Sequence, residues 1–337
     1  MRDPADPGAQ ASADDEHTEE TPPDRVPRVC VLAATPLLTV TIEHAADDST
    51  PELHVHAGGQ GVWVARMARS LGAAVTVCGP FGGETGDLAA HLSAQEGLDV
   101  RPTAFGGSTG SYVHDRREGE RSEIIRISPA PLGRHELDDL YGSVVVAALD
   151  ADVVVLAGAE PADVIPADLF GRLAGDLRAS GRTVVADLSG DATRAILEPG
   201  VDVLKMSHTE MQDGGFADGG SVEDLVAGAR GLLREGVGAV VISRAAEPTL
   251  LVTEADALLL RTPQVSTVDH HGGGDSMTAS LAVALARGAD LREAARLGAA
   301  AGALNVARHG LGTGQREQIE RFAHEVTVEP ATGSDET

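Results

Sequence analysis

Short apolar runs recur along the chain, and most are followed by a longer stretch with helical periodicity. Runs of this kind are typical of strands buried on both faces, and parallel neighbours need such helical connections. The pattern predicts an α/β fold, in which helices cover both faces of a mostly parallel central sheet. The predicted strands are 29–34, 75–79, 153–156, 183–187, 201–204 and 239–243, with a hairpin at 250–253 and 257–260. The predicted helices are 62–71, 87–96, 135–149, 166–179, 192–197, 221–234, 276–286, 291–307 and 315–325.

A second pattern, in which apolar and polar residues alternate, occurs in two places. Alternation is typical of strands with one face in solvent, so these segments predict a small sheet separate from the central one. The alternating segments are 38–43 and 53–56. Together with a predicted hairpin of 111–114 and 123–127, they place the small sheet at about 37–56 and 109–127.

The two ends of the chain lack both patterns. Residues 1–26 are poor in apolar side chains and rich in Asp, Glu and Pro, which is typical of a disordered tail. We predict a second disordered tail over 328–337, which leaves 27–327 as one domain. The net charge is −26, and residues 1–24 hold eight acids against one arginine. This charge disfavours nucleic acid and anionic membranes as partners.

Cysteine usage and the absence of long apolar runs predict a cytoplasmic protein. Cys30 and Cys78 both lie in apolar, strand-like runs, as reduced core thiols do. The first residues contain no apolar stretch of the signal-peptide type, and no run approaches the length of a membrane span.

A turn of three glycines and an aspartate, Gly272-Gly273-Gly274-Asp275, stands immediately before a helix-like run. The first N–H groups of a helix have no partner within it, and together with the helix dipole they attract an anion, usually phosphate. We expect Asp275 to act as a base that takes a proton from an attacking hydroxyl. The alternative is an ordinary loop–helix junction in which Asp275 only complements the helix dipole, and the spacing alone leaves both open.

Three further polar residues stand at the ends of predicted strands. They are Asp187, Lys205 and Ser243, and Lys205 is the only lysine in the chain. In open α/β sheets, ligands bind at the carboxyl ends of the strands. Together with Asp275, these residues predict an active site at that edge of the sheet.

Two motifs carry a resemblance to a known family. The first, at 57–66, reads Ala-Gly-Gly-Gln-Gly-Val-Trp-Val-Ala-Arg and is followed by Gly-Gly-Glu-Thr-Gly at 82–86; the second spans 269–276. In this order they resemble the two signatures of the PfkB (ribokinase-like) carbohydrate kinases, over about residues 28–325. Residues 34–38 and 203–205 are most similar to the branch of 1-phosphofructokinase and tagatose-6-phosphate kinase. The resemblance implies a ribokinase-like fold whose small sheet forms a lid.

The resemblance also implies the chemistry of the glycine turn. Asp275 would be the catalytic base that activates a hydroxyl of a sugar or sugar phosphate for attack on ATP. Gly272, Gly273 and Gly274 would form the anion hole for the transferred phosphoryl group. Positioning and charge neutralisation supply most of the catalysis in such reactions.

On the nucleotide side, the resemblance implies further positions for ATP and its ions. Lys205 and Ser243 would lie near the phosphates, and Asn305 would lie on the helix that borders the adenine pocket. Glu210 would bind Mg²⁺ through water. Asp269 matches a position that holds a monovalent cation, K⁺ in this case.

On the acceptor side, the implied contacts are Thr39, Gly58, Gly59, Gln60 and Trp63. Three of them depart from the family pattern: Gln60 replaces a lysine, Trp63 an asparagine, and Thr39 a sugar-binding aspartate. Trp63 either stacks on a ring of the acceptor or is a packing residue, and the sequence leaves both readings open.

Other departures affect both ligands. Gly110 stands where this branch usually has an arginine, so together with Gln60 two cationic anchors for a sugar phosphate are missing. Ser207 replaces the asparagine of the Asn-x-x-Glu motif, the loop 244–248 lacks its usual glycines, and His271 precedes the anion hole.

We therefore predict an ATP-dependent carbohydrate kinase with an altered acceptor pocket. The alternative is a catalytically impaired kinase fold that binds nucleotide or sugar, for example as a regulatory protein. A third hypothesis is a nucleoside kinase in which Trp63 stacks on the base. Lids of this fold pair between subunits in some members, so a homodimer through the lid is also expected.

Overall fold

The computed structural model describes residues 25–45, 50–119, 121–266, 271–308 and 314–331. The first part of the chain contains β1 (Arg28–Ala33), β2 (Leu37–His44), β3 (Pro51–Gly58), α1 (Gln60–Ser70), β4 (Ala74–Pro80), α2 (Gly83–Gln95), β5 (Asp99–Thr103), β6 (Gly110–Asp115), β7 (Ser122–Ile127) and α3 (Arg134–Ala148). The middle contains β8 (Val153–Ala157), α4 (Ala167–Ala179), β9 (Thr183–Asp187), α5 (Gly190–Ala195), β10 (Val201–Ser207), α6 (His208–Asp213) and α7 (Val222–Arg234). The last part contains β11 (Val237–Arg244), β12 (Glu247–Val252), β13 (Ala257–Arg261), α8 (Gly273–Ala286), α9 (Leu291–Val306), α10 (Arg316–Ala323) and β14 (Thr327–Pro330).

The central sheet has ten strands in the order β14-β13-β12-β11-β10-β9-β8-β1-β4-β5. The seven neighbouring strands β11, β10, β9, β8, β1, β4 and β5 pair in parallel. Strands β12, β13 and β14 add antiparallel strands at one edge. This confirms the prediction of a mostly parallel sheet. It also brings the carboxyl ends of β9, β10 and β11 to one edge of the fold.

Alternate residues of each central strand enter two separate hydrophobic layers. In β1, Val29 and Val31 pack towards α1, α8 and α9, whereas Cys30 and Leu32 pack towards α3, α4 and α7. Both faces of a parallel strand must be apolar for this reason. The predicted helical cover on both faces is therefore confirmed.

The lid is a separate four-stranded sheet in the order β3-β2-β6-β7. Its two hairpins, β2–β3 and β6–β7, are antiparallel, and β2 joins β6 in parallel. The alternating segments of the sequence form these strands, as predicted. The lid residues 46–49 and 120 lie outside the described ranges.

Three elements differ from the sequence predictions. The edge strand β5 was missed because it reads Asp-Val-Arg-Pro-Thr and has no apolar run. The six-residue helix α6 was also missed, although Ser207 and Glu210 form a capping box, a recognisable start signal. Strand β14 pairs with β13 where the sequence places the start of the second tail, so the folded domain extends to Ala331 rather than ending at residue 327. The first predicted tail lies almost wholly outside the described residues.

Two features bear on the surroundings of the chain. Cys30 and Cys78 are free and buried, as predicted for core thiols. Within the described ranges, no helix combines the length and apolar character that crossing a bilayer requires.

Candidate active site

The glycine turn caps a buried helix. Gly272 is the N-cap of α8 and has a left-handed backbone (φ 72°, ψ 3°), a conformation that favours glycine. Behind it, nine consecutive residues from Ser276 to Ala284 are buried, so packing on both sides holds α8 in place. The N–H of Ser276 donates to the oxygen of Gly272 at 3.0 Å and closes the first turn. The preceding N–H groups have no carbonyl within the helix, which suits them to an anion.

Lys205 lies directly under this turn, at the end of β10. Its ammonium donates to both carboxylate oxygens of Asp187 at 3.2 Å, and both side chains are buried. A Cβ at position 274 would lie only 2.5 Å from Lys205 Nζ, so Gly274 allows the ammonium to reach the turn. Burial alone would lower the pKa of Lys205, but the carboxylates of Asp187, Glu210 and Asp275 outweigh it and raise the pKa. The site therefore contains a fixed positive charge beside the predicted anion hole.

Asp187 receives a third hydrogen bond, from helix α8. The hydroxyl of Thr278 donates to Asp187 Oδ2 at 2.6 Å. The backbone oxygen of Asp187 accepts from the N–H of Gly158 at 3.0 Å and from Gln60 Nε2 at 3.4 Å. The sequence places Asp187 in the predicted active site by its strand-end position but gives it no role, and Thr278 was not predicted. Nothing in the sequence pairs the two residues.

Asp275 has the properties of a general base. It follows Gly274 in the first turn of α8 and lines the large cleft between lid and body. Desolvation and the negative charge of Asp187 raise its pKa to about 7, Lys205 lowers it, and Glu210 adds to the increase. A carboxylate with a pKa near neutrality can accept a proton during reaction and return it afterwards.

Glu210 is held beside Asp275 by the start of α6. Its Oε2 accepts from the N–H of Ser207 at 2.6 Å, and the hydroxyl of Ser207 accepts from the N–H of Glu210 at 3.1 Å. Ser207, which replaces the family asparagine, thus retains a capping role. Glu210 lines the same cleft as Asp275. Among the described residues, no cluster of three or more acidic, His or Cys side chains forms a metal cage. A single carboxylate beside phosphate oxygens still suits Mg²⁺, which keeps several waters.

Two further residues predicted for the nucleotide side, Ser243 and Asn305, lie close to this edge of the sheet. Ser243 is the penultimate residue of β11 and is in register with Ser207 on β10. Asn305 on α9 is buried, and its Nδ2 donates to the backbone oxygen of His271 at 2.8 Å. Asn305 therefore supports the glycine turn directly. Asp269, the predicted cation ligand, lies outside the described residues.

The turn between β11 and β12 is tight despite its lack of glycine. Arg244 pairs with Glu247 across a two-residue turn, and Ala245 has a left-handed backbone (φ 52°). Arg244 Nη1 donates to the oxygen of Pro248 at 3.4 Å. A non-glycine residue with positive φ costs conformational energy, so this part of the nucleotide side is strained locally.

The cleft between lid and body has a volume of about 1160 Å³. Thr39, Gly59, Gln60 and Trp63 line it, and Gly58 lies against Thr39 and Trp63. The structure thus brings the predicted acceptor residues together. Through its bond to Asp187, Gln60 also connects α1 with the buried ion pair.

The cleft-facing side of the lid carries cations that the sequence reasoning missed. Three arginines of the β6–β7 hairpin, Arg116, Arg121 and Arg126, line the cleft together with His56 and His114. Alternation along β6 was the available signal, because residues 112, 114 and 116 share one face. None of the described acidic residues of this hairpin lines the cleft, although Glu43 of β2 does. The hairpin therefore presents mainly cationic side chains to the cleft.

Polar contacts organise the middle of this lid face. Thr41 Oγ1 lies 3.2 Å from His114 Nε2 and 3.5 Å from His56 Nε2. Desolvation, with Arg121 and Arg116 nearby, lowers the pKa of His114 to about 4. Tyr112 stacks on His114, and the Arg126 guanidinium lies 4.4 Å above the Tyr112 ring. At neutral pH the positive charge on this face thus comes from the arginines.

A helix start suited to an anion, a buried lysine and a carboxylate with a pKa near 7 lie together at the strand ends, an arrangement that suits phosphoryl transfer. The sequence profile described as "pfkB family carbohydrate kinase" matches residues 35–318. The chain belongs to the pfkB family of carbohydrate kinases, which confirms the family resemblance and the predicted enzyme class.

Individual relatives agree with this assignment. The chain is 30% identical to the ATP-dependent 6-phosphofructokinase isozyme 2 of Mycobacterium tuberculosis over 315 residues, which cover 90% of this chain and 91% of the relative. It is 27% identical to the 1-phosphofructokinase of Bacillus subtilis over 80% of this chain and 88% of the relative. These relatives are consistent with the predicted 1-phosphofructokinase branch.

Solved structures confirm the ribokinase-like fold. Phosphofructokinase-2 from Escherichia coli in complex with potassium superposes with a TM-score of 0.78 at 23% identity, covering 89% of this chain and 99% of that one. Ribokinase from Arabidopsis thaliana, complexed with ribose and ATP, superposes with a TM-score of 0.69 at 19% identity, with the same coverage.

Proposed function

We propose that this protein transfers the γ-phosphoryl group of ATP to a hydroxyl of a phosphorylated sugar. The observation that carries the proposal is Asp275, a base with a pKa near 7 that stands in an anion-binding turn and lines the acceptor cleft. Asp275 takes the hydroxyl proton as the oxygen attacks the γ-phosphorus. The bond between the γ-phosphorus and the bridging oxygen breaks. The electron pair of this bond stays on the oxygen, which leaves as part of ADP.

The other groups neutralise charge during this step. The N–H groups of the turn Gly272–Gly274 and the ammonium of Lys205 face the transferred group. Mg²⁺ supplies charge neutralisation on the phosphates, and Glu210 would hold it through water. We include K⁺ as a second ion at Asp269, because the Escherichia coli phosphofructokinase-2 structure was obtained in complex with potassium. Stimulation of turnover by KCl, compared with tetramethylammonium chloride at equal ionic strength, tests that part.

The acceptor is proposed to carry a phosphate because of the lid arginines. Arg116, Arg121 and Arg126 line the cleft in a chain whose net charge is −26. Arginine recognises phosphate through its planar set of donors. Arg116 lies 3.7 Å from Glu43 and Arg126 3.2 Å from Glu123. Arg126 and Glu123 are both half exposed, so this pair exchanges readily for a dianionic ligand, since surface ion pairs contribute little. Arg116 is more shielded, and Glu43 is the more exposed member of its pair.

A coupled ADP-release assay tests the proposal. The acceptors are fructose 1-phosphate, fructose 6-phosphate and tagatose 6-phosphate, with fructose and ribose as unphosphorylated comparisons. We expect turnover with a phosphorylated sugar only, and its loss in Asp275→Asn. Calorimetric binding of ATP or sugar without turnover would instead favour the catalytically impaired binding protein. Turnover with nucleosides alone would favour the nucleoside kinase.

The lid arginines are tested by a matched pair of variants. Arg126→Gln should raise KM for the phosphorylated sugar about tenfold or more and leave KM for ATP nearly unchanged, because a charge-assisted contact is lost. Arg117→Gln is the control, since Arg117 lies on the same hairpin but pairs with Asp115 and does not line the cleft. Equal effects of the two variants would contradict a phosphate contact at Arg126.

We further propose a cytoplasmic homodimer that pairs through the lid. Four large apolar side chains of the lid, Leu53, Ile124, Ile125 and Ile127, are about half exposed or more. Ile125 and Ile127 lie on the same face of β7, and exposed apolar side chains grouped in this way are typical of interaction surfaces. Light scattering should give twice the chain mass for the wild type. Ile125→Lys should give a monomer, and a monomeric wild type would rule the dimer out.

A further inference from the structure

Lys205, the only lysine of the chain, interacts with three carboxylates. Asp187 on β9, Glu210 on α6 and Asp275 on α8 all act on Lys205 electrostatically. The structure records hydrogen bonds of Lys205 to Asp187, at equal distances of 3.2 Å to both oxygens. If the ammonium moved to Asp275, it would no longer lie beside the transferred phosphoryl group. Its positive charge would also make the Asp275 carboxylate a weaker base. Something must therefore favour Asp187.

Thr278 is in the position to do this. It lies one helical turn below Gly274, is fully buried, and reaches across to Asp187 Oδ2 at 2.6 Å. Its oxygen also lies 3.1 Å from the carbonyl of Gly274, but a hydroxyl has one proton. The shorter contact to a charged acceptor takes that proton. Thr278 thus ties the carboxylate of Asp187 to the same helix that carries the anion turn.

We propose that Thr278 is a positioning residue for phosphoryl transfer: by fixing the carboxylate of Asp187, it holds the Lys205 ammonium against Gly274, beside the transferred group. The inference rests on the proposed function for its kinetic consequence but not for its geometry. Without the hydroxyl, the Asp187 carboxylate can turn about its last torsion. Lys205 then follows it away from the glycine turn or moves to Asp275. Thr278 is fully buried and is not among the residues that line the cleft, so its effect is transmitted through Asp187 and Lys205.

Kinetics provide the first test, with Thr278→Val as the isosteric variant. Because a misplacement of about 1 Å can cost about 10²-fold in rate, we expect kcat to fall by about 10- to 100-fold. KM for ATP should change less than about threefold, because the effect concerns charge that develops in the transition state. Thr278→Ser keeps the hydroxyl and should recover most of the lost kcat. A purely structural role would not give that rescue together with an unchanged KM.

Ser280→Ala is the matched control. Ser280 lies on the same helix, is fully buried and donates to the oxygen of Ser276 at 2.8 Å. The Ser280→Ala variant therefore lacks a buried hydroxyl of α8, while the hydrogen bonds of Asp187 remain as in the wild type. We expect its kcat to stay within about twofold of the wild type, as for a change outside the reacting groups.

The second test does not need turnover. Because Lys205 is the only lysine, protein grown with ¹³C-labelled lysine gives one ε-carbon signal in NMR spectra. We expect Thr278→Val to shift this signal clearly, and Thr278→Ser and Ser280→Ala to leave it in place. A signal unmoved by Thr278→Val overturns the inference, whatever the activity. If the wild type turns over no acceptor, the proposed function fails, and the lysine signal still decides the role of Thr278.

Discussion

Gly274→Ala should destabilise the protein, although the same change in an ordinary helix stabilises. The new Cβ would lie 2.5 Å from Lys205 Nζ, about 1 Å inside normal contact. Lys205 is buried and hydrogen-bonded to Asp187, so a retreat of its ammonium from the new methyl group disturbs that ion pair. Breaking a buried ion pair costs about 3–5 kcal/mol, and replacing a helical glycine returns about 0.5–1 kcal/mol. The expected net loss is about 2–4 kcal/mol.

Urea denaturation measures this loss. With a slope of about 3 kcal/mol per molar urea, the midpoint should fall by roughly 1 M. Gly142→Ala is the control, because Gly142 lies inside α3 and a Cβ there would meet nothing within 4 Å. Its midpoint should rise slightly. If both variants rise together, Lys205 is not held against the glycine turn, and the reasoning about the site is wrong.

Further predictions concern the same site and the core. At pH 8, Asp275→Asn should lower kcat by about 10²- to 10⁴-fold, because the base is lost. The same variant should raise the urea midpoint, because the ionised Asp275 of the wild type loses solvation on folding. That gain should shrink as the pH falls from about 7 towards 4, where the folded wild type already holds the proton; a constant gain would exclude the raised pKa. In the wild type, kcat/KM should fall about tenfold per pH unit below about 7, and a flat profile down to pH 5 would remove Asp275 as the base. Asn305→Leu removes the donor to His271 and should cost about 1–3 kcal/mol in urea denaturation; an unchanged midpoint would show that this bond contributes nothing. Cys30 and Cys78 are buried, so a thiol reagent should label them only as fast as the chain unfolds, and rapid labelling would contradict their burial.

The fold could be predicted from the sequence because each central strand shows both of its buried faces as one continuous apolar run. The run at 153–156, for instance, has no polar position that would suggest an exposed face, and β8 lies in the interior of the sheet. Edge strands carry no such signal. β5 and β14 have exposed positions and a proline each, so nothing in their composition separates them from loops.

The site could be predicted where the sequence carries a local signal, either a glycine run or a polar residue at the end of an apolar strand. The glycine turn is visible in the sequence because an anion-binding helix start needs small residues in a row. The contact of Thr278 with Asp187 is not visible, because it joins two residues 91 positions apart through the packing of α8 on the sheet. The lid arginines were missed for a related reason. A hairpin rich in both acids and arginines shows which charges face the cleft only once the strand register is known.

The lid is inserted into the body at two points, and its chain crossings meet in one small region. Gly59 approaches the backbone oxygen of Thr35 closely, which brings together the two ends of the first hairpin. Gly110 approaches Leu37 and Pro129, which joins the second hairpin to the first. The four crossings therefore lie close together at the base of the lid. Arg126 lies near this base, because it is in register with Tyr112, two residues from Gly110. The lid is thus joined to the body through one compact region rather than through two separate connections.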